Sequence, residues 1–195
     1  MRDGLTSGLV ATRDTFGNAT PIYRHLNHPD ENNLGISMAY VLWEISRHEG
    51  AEQRLREELH TYISEKIRPQ SLSPSRTAFL PPSPEILDQL PYLNAVIRES
   101  LRLRNTVPTP NPRLTPEHET TKIGTYNGIP GGVRISGFAW CLHRQGDVFE
   151  HPEEWNPDRW LSNDKQKLVE MNKWDWTFGS GSRMCLGKNL AWQRK

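Results

Sequence analysis

From Leu34 onward, apolar residues recur at helical spacing, with Leu34, Met38, Val41, Leu42 and Ile45 sharing one face. Gly50 interrupts the pattern. A second stripe follows at Leu55, Leu59, Tyr62 and Ile63, with Glu52 and Arg56 one turn apart as an ion pair. The spacing predicts helices over 34–68, the second an ordinary amphipathic packing helix. Residues 1–33 lack such periodicity and carry the breakers Pro21 and Pro29, so they read as weakly structured. Residues 69–84 hold five prolines and several serines, which predicts a Pro-rich loop over 69–83. Ser83-Pro84-Glu85 then has the form of cap, first-turn proline and first-turn acid. Past a boundary at Leu90-Pro91, a helix is predicted over 92–104, with Leu93, Val96, Ile97 and Leu101 as its apolar face and Glu99 and Arg102 roughly opposite.

The period then changes. Between β-prone residues stand Asn127-Gly128 and Pro130-Gly131-Gly132, which predict short strands and tight turns over 112–140. Residues 161–172 read as polar and exposed, and 188–195 as the first turns of a further helix. The predicted class is mainly α with a small β region.

Composition narrows the function. At 195 residues the chain suffices for about one core. Its 24 basic and 23 acidic side chains nearly cancel, which suggests no nucleic-acid partner. Two cysteines, Cys141 and Cys185, cannot make a disulfide framework and fit a reducing compartment. No apolar run has signal-peptide or membrane-spanning length.

The chemistry concentrates around Cys185, in a loop with Gly179, Gly181 and Gly187, with Arg183 two residues before it and an apparent helix after it. Backbone N–H groups at a helix start, together with Arg183, would favour the thiolate, the form that binds metal. A buried structural cysteine in a glycine turn is the alternative. Phosphate-binding readings fail by counting: Gly181 and Gly187-Lys188 enclose five residues where the P-loop has four, and Asn189 stands where a magnesium-binding hydroxyl belongs. No glycine follows three residues after Gly181, so the dinucleotide fingerprint fails too.

Phe178-Gly179-Ser180-Gly181-Ser182-Arg183-Met184-Cys185-Leu186-Gly187 resembles the haem-binding loop of the cytochrome P450 family, Phe-x-x-Gly-x-Arg-x-Cys-x-Gly, at every defined position. The resemblance implies the C-terminal part of the cytochrome P450 fold, of the microsomal eukaryotic, fungal type. It implies haem as cofactor, Cys185 as the thiolate on its iron, and Phe178, Gly179, Gly181, Arg183 and Gly187 as the rest of the cradle. Val96-Ile97-Arg98-Glu99-Ser100-Leu101-Arg102 resembles the family's Glu-x-x-Arg helix, and Pro157-Asp158-Arg159-Trp160 its Pro-Glu-Arg-Phe region with Asp for Glu. Glu99, Arg102 and Arg159 would then form a structural triad, one carboxylate between two guanidiniums. Taken alone, Glu99 and Arg102 read as a solvated surface pair worth little. Arg113, after the family's Pro-Arg pattern, is a candidate donor to a haem propionate or else a solvated loop arginine. Ala139-Trp140-Cys141-Leu142-His143-Arg144 resembles the family's His-Arg-Asp-Pro stretch, with Gln145-Gly146 departing from it. Cys141 and His143 are too few for a metal site and are assigned to packing and local hydrogen bonding.

The resemblance runs over 34–195, with a meander and cysteine loop at 141–187 and a truncated ligand helix at 188–195. The parent it implies is more than twice this length. That parent sits at the cytosolic face of the endoplasmic reticulum membrane, takes electrons from an NADPH-dependent reductase and oxidises a small apolar substrate with O2. One departure stands inside the chain. Where the family places an acid and a threonine for proton delivery, this chain has Pro29-Asp30-Glu31-Asn32-Asn33-Leu34, with Asp30 or Glu31 as possible acids and no hydroxyl. No catalytic residue is therefore assigned. The rival expectation is a non-catalytic truncated product that keeps the motifs without a closed haem pocket.

Overall fold

The computed structural model describes residues 10–13, 19–22, 29–66 and 84–193, with backbone alone at 10–13, 19–22, 29–32 and 63–66. The Pro-rich loop at 69–83, most of 1–28 and the last two residues lie outside that description. Two compact units are distinguished, Met1–Asn33 with Pro110–Gly137 and Leu34–Thr109 with Phe138–Lys195. No helix among the described residues is long and apolar enough to cross a membrane.

Helix α1 spans Pro29–Arg47 and α2 spans Ala51–Lys66, joined through Gly50 at φ 81°. Helix α1 begins five residues before the first periodic position, because proline is tolerated where a helix has no N–H partner to lose. The short α3 (Pro84–Leu87) leads into α4 (Pro91–Leu103), again with proline in the first turn. No side chain of its own caps α4. Instead Glu58 reaches across from α2, its Oε1 accepting from Tyr92 N–H at 2.7 Å and its Oε2 from Leu93 N–H at 2.9 Å. This places a carboxylate on orphan donors at the positive end of the helix dipole.

Helix α4 lies between two apolar clusters. Val41, Leu55, Tyr92 and Val96 form one; Ala95, Phe149, Trp160 and Met171 form the other. The buried residues of α4 are therefore Tyr92, Ala95, Val96, Glu99, Ser100, Arg102 and Leu103, rather than the expected Leu93–Val96–Ile97–Leu101 stripe. Helix α1 is rotated likewise. Val41 and Ile45 pack inward beside the buried Glu44, while Met38 and Leu42 are exposed. Glu44 decides this, because it accepts from Arg104 Nε at 2.9 Å.

Beyond α5 (Ala139–Leu142) and a 3-10 turn at Pro157–Leu161, the segment read only as polar and exposed contributes most of α6, Lys165–Trp174. Asp164 caps α6 by accepting from Gln166 and Lys167 N–H groups, and Met171 is wholly buried against the second cluster. A second 3-10 turn, Gly181–Arg183, precedes α7 (Lys188–Gln193).

The other unit contains three two-stranded antiparallel sheets among its described residues. They pair β1 (Val10–Arg13) with β2 (Ala19–Ile22), β3 (Asn111–Leu114) with β6 (Arg134–Gly137), and β4 (Thr121–Ile123) with β5 (Tyr126–Ile129). A hairpin therefore occurs within the segment expected to be weakly structured. The β4–β5 hairpin turns at Gly124 (φ 58°), not at Asn127-Gly128, which lies inside β5. Thr115 closes the unit's other turn. Its hydroxyl donates to Pro130 C=O at 2.7 Å and accepts from Val133 N–H at 2.9 Å.

Candidate functional site

Glu99 and Arg102 are each 0 % exposed, so the surface-pair alternative fails. One turn apart on α4, they meet in a fork, Arg102 Nε to Oε2 at 3.0 Å and Nη2 to Oε1 at 2.8 Å. Arg159, sixty residues on, donates its Nε to Oε1 at 2.9 Å. Two donors absent from the expected triad complete the shell: Asn156 N–H to Oε1 at 3.0 Å and Trp160 Nε1 to Oε2 at 2.9 Å. A tryptophan directly after Arg159 was the available signal for the second. Nothing in local sequence marks the Asn156 amide, because any residue supplies one.

The remaining guanidinium donors turn outward to backbone. Arg102 donates to the carbonyls of His143 (2.6 Å), Pro152 (2.7 Å) and Glu154 (3.2 Å). Arg159 donates to those of Glu150 (2.8 Å), His151 (3.5 Å) and Glu154 (3.3 Å). The segment 143–159 has little regular structure to satisfy its own carbonyls, and the two arginines satisfy them instead. His151 sits at φ 46° within this cradle, a strained conformation held by its surroundings.

The cysteine loop is built mainly on its own backbone. Gly179 N–H donates to Trp176 C=O and Cys185 N–H to Phe178 C=O, both at 2.9 Å. Gly179 and Gly181, at φ 72° and 71°, supply the left-handed conformations that this path requires. Phe178 packs near Trp192 of α7, with ring centroids 6.2 Å apart. Asp175, at the loop's start, accepts from both Thr177 N–H and Thr177 Oγ1 and pairs with Arg98 of α4 at 3.3 Å. Arg98 also bonds Asn172 and lies 3.9 Å over the Trp160 ring. Asp175 and Arg98 were not singled out in sequence; their signal is weak, a charge between two tryptophans and a cation beside the Glu-x-x-Arg pair.

Cys185 is exposed, not buried, and so are its neighbours: Met184 is 43 % exposed and Leu186 is 101 % exposed. Arg183 and Gly181 are exposed as well, while Phe178, Gly179 and Gly187 are half-buried. A Cβ at Gly187 would stand 3.8 Å from the Cys185 sulfur, an ordinary van der Waals contact. Arg113 is exposed on β3 in the other unit, its Nη1 donating to Pro112 C=O at 3.0 Å. The side chains of Asp30 and Glu31 lie outside the described residues. A cleft of about 400 Å³ shares Phe178 and Gly179 with the loop, and Arg98, Asp175, Lys188 and Trp192 also line it. Those charges make it unlike a pocket for an apolar molecule.

Among the described histidines, His143 has the most distinctive environment. Burial holds its pKa below the ordinary 6.5, opposed by the Asp175 carboxylate and reinforced by the Arg102 and Arg144 guanidiniums.

A family model described as Cytochrome P450 matches residues 34–194. A cytochrome P450 monooxygenase of Aspergillus terreus is 33% identical over 162 residues, covering 83% of this chain and 30% of its own length. The cytochrome P450 monooxygenase ankB of Aspergillus thermomutatus is 45% identical over 103 residues, 53% of this chain and 19% of that protein. Among solved structures, a zebra fish cytochrome P450 determined with progesterone superposes with a TM-score of 0.62 at 23% identity, covering 83% of this chain and 32% of that one. The chain thus spans about a third or less of the length of the relatives it matches.

Proposed function

The chain belongs to the cytochrome P450 family, and on that premise we propose that its cysteine loop is the thiolate side of a haem monooxygenase site, with Cys185 as axial ligand to the iron. The observation that carries this is the exposed thiol at the end of a loop tied by Cys185 N–H to Phe178 C=O. The donor set supports it. Among the described residues no three His, Cys, Asp or Glu side chains gather to hold a bare ion. An iron already held by a macrocycle needs only one strong protein ligand, and a lone thiolate suits it. The surroundings agree: exposed Met184, Leu186 and Leu190 offer the apolar face that a flat, largely apolar group would cover.

In this reading haem, when bound, supplies the activation of O2 and insertion of one oxygen atom into a small apolar substrate, with electrons from an NADPH-dependent reductase. The chain's own residues do the positioning. Gly179 and Gly181 let the backbone turn so that the thiol faces outward, and Phe178 packs its base against Trp192. Arg102 and Arg159, both anchored on Glu99, hold the preceding meander by its carbonyls. Arg183 is a cation available to the haem carboxylates, and the same role for Arg113 rests on the family resemblance alone.

A second reading, a chain that keeps the motifs without a closed haem pocket, is favoured by the apolar side chains that α1 leaves exposed, among them Ile36, Met38 and Leu42. Reconstitution with haem separates the two. The thiolate reading expects stoichiometric uptake and a reduced, CO-bound spectrum of thiolate type that Cys185→Ala abolishes. No uptake by the wild-type chain, or an unchanged spectrum in Cys185→Ala, overturns it.

A further inference from the structure

Every hydrogen-bonding atom of His143 is engaged, and its partners dictate its chemical form. The residue is 0 % exposed at the C-terminal end of α5. Its Nδ1 lies 2.9 Å from the carbonyl of Arg102, an oxygen that only accepts, so Nδ1 carries the proton. Its Nε2 lies 2.9 Å from Trp176 N–H, a group that only donates, so Nε2 presents a lone pair. One form satisfies both, the neutral Nδ1–H tautomer. The backbone carbonyl of His143 in turn accepts from Arg102 Nη1 at 2.6 Å. Residue 143 therefore grips Arg102 twice and Trp176 once.

Trp176 is where the cysteine loop begins. Its C=O accepts from Gly179 N–H, and the next residues return through Phe178 C=O to Cys185 N–H. A continuous route of hydrogen bonds and short backbone steps thus runs from the Glu99 carboxylate through Arg102 and His143 to the cysteine loop.

We propose that His143 is a positioning residue for the thiolate loop: a neutral imidazole joining the end of α4 to Trp176, which protonation releases by replacing the Nε2 acceptor with a donor. Its importance for the thiolate rests on the function proposed above; the link itself does not. Asp175 supplies the alternative partner, its Oδ1 standing 3.7 Å from Nε2. A protonated ring would donate to that carboxylate instead of accepting from Trp176, and Arg98 and Thr177 would then share Asp175 with it. The other charges facing the ring, Arg102 from α4 and Arg144 from the end of α5, both oppose protonation. The device therefore rests in the joined state near neutral pH.

Two substitutions divide the link into its halves. Glutamine can place a carbonyl where Nε2 stands, keeping the acceptor for Trp176; asparagine reaches only the Nδ1 position, keeping the donor to Arg102. Nitrogen-15 spectra of the imidazole in the full chain at pH 7.5 are expected to show a protonated Nδ1 and a bare Nε2. Hydrogen exchange at the Trp176, Gly179 and Cys185 amides should be about tenfold faster in His143→Asn than in His143→Gln, with α2 amides unchanged. Lowering the pH below the ordinary histidine range should open the same amides in wild type, after correction for intrinsic rates, and leave His143→Gln unmoved. A ring protonated at Nε2, two variants that exchange alike, or loss of protection that extends equally to α2 would overturn the proposal. Failure to take up haem would leave these readouts intact and would sink only the thiolate reading.

Discussion

Glu99→Ala tests the buried network most directly. The carboxylate accepts from Arg102 Nε, Arg102 Nη2, Arg159 Nε, Asn156 N–H and Trp160 Nε1, all within 3.0 Å. Its removal leaves two buried guanidiniums without a counter-charge and two neutral donors without an acceptor. Breaking a buried ion pair from one side costs about 3–5 kcal/mol, and each unpaired neutral donor adds roughly 1–3 kcal/mol. Two effects pull the total back. The guanidiniums keep their bonds to carbonyls between His143 and Glu154, and the space left by the side chain can admit water. The expected net loss is about 3–5 kcal/mol, a fifth or more of the roughly 5–15 kcal/mol that holds a typical domain folded. With a urea dependence of about 2 kcal/mol per molar, the midpoint should fall by about 2 M. The assay is urea titration followed by tryptophan fluorescence and far-UV circular dichroism. Glu99→Gln should behave nearly as badly, because its amide sets donors against donors. A midpoint shift below about 0.5 M at unchanged slope would show that the carboxylate is not the charge that holds the arginines.

Other expectations are smaller. Glu58→Ala uncaps α4 at Tyr92 and Leu93 N–H and should cost about 1–2 kcal/mol in thermal unfolding, with Glu58→Gln recovering part of it; equal stability of all three would deny the cap a role. Gly131→Ala would drive a Cβ into the Glu117 carbonyl, so the turn must shift at a cost of roughly 1–3 kcal/mol. Faster amide exchange at Gly132 and Val133, without change in α4, is the expected signature. His143 makes stability pH-dependent in a definite direction. Below the ordinary value of 6.5 the unfolded chain binds a proton that the buried native ring resists, so this contribution is complete above that pH and declines beneath it. The slope is at most about 1.4 kcal/mol per pH unit. It should appear as a difference between wild type and His143→Gln, and parallel curves would contradict it.

Local sequence determined more of the site than of the core. The cysteine loop was legible because its conformation is written in residues that act on their own backbone: Gly179 and Gly181 at positive φ, and Cys185 returning to Phe178. The starts of α1 and α4 follow from proline, and the start of α6 could have been read from Asp164. Glu99, Arg102 and Arg159 were named from spacing and resemblance. Which sides of α1 and α4 turn inward was decided by tertiary structure. Periodicity tells which residues share a face but not what that face will meet. On α4 the charged side went to the interior because Arg159, Trp160 and Asn156 arrive from about sixty residues away to satisfy a carboxylate that would otherwise stay in water. His143 shows the same limit. Its sequence context fits an ordinary packing residue, and its single permitted tautomer exists only because folding sets a carbonyl from forty-one residues earlier and an amide from thirty-three residues later on opposite sides of one ring.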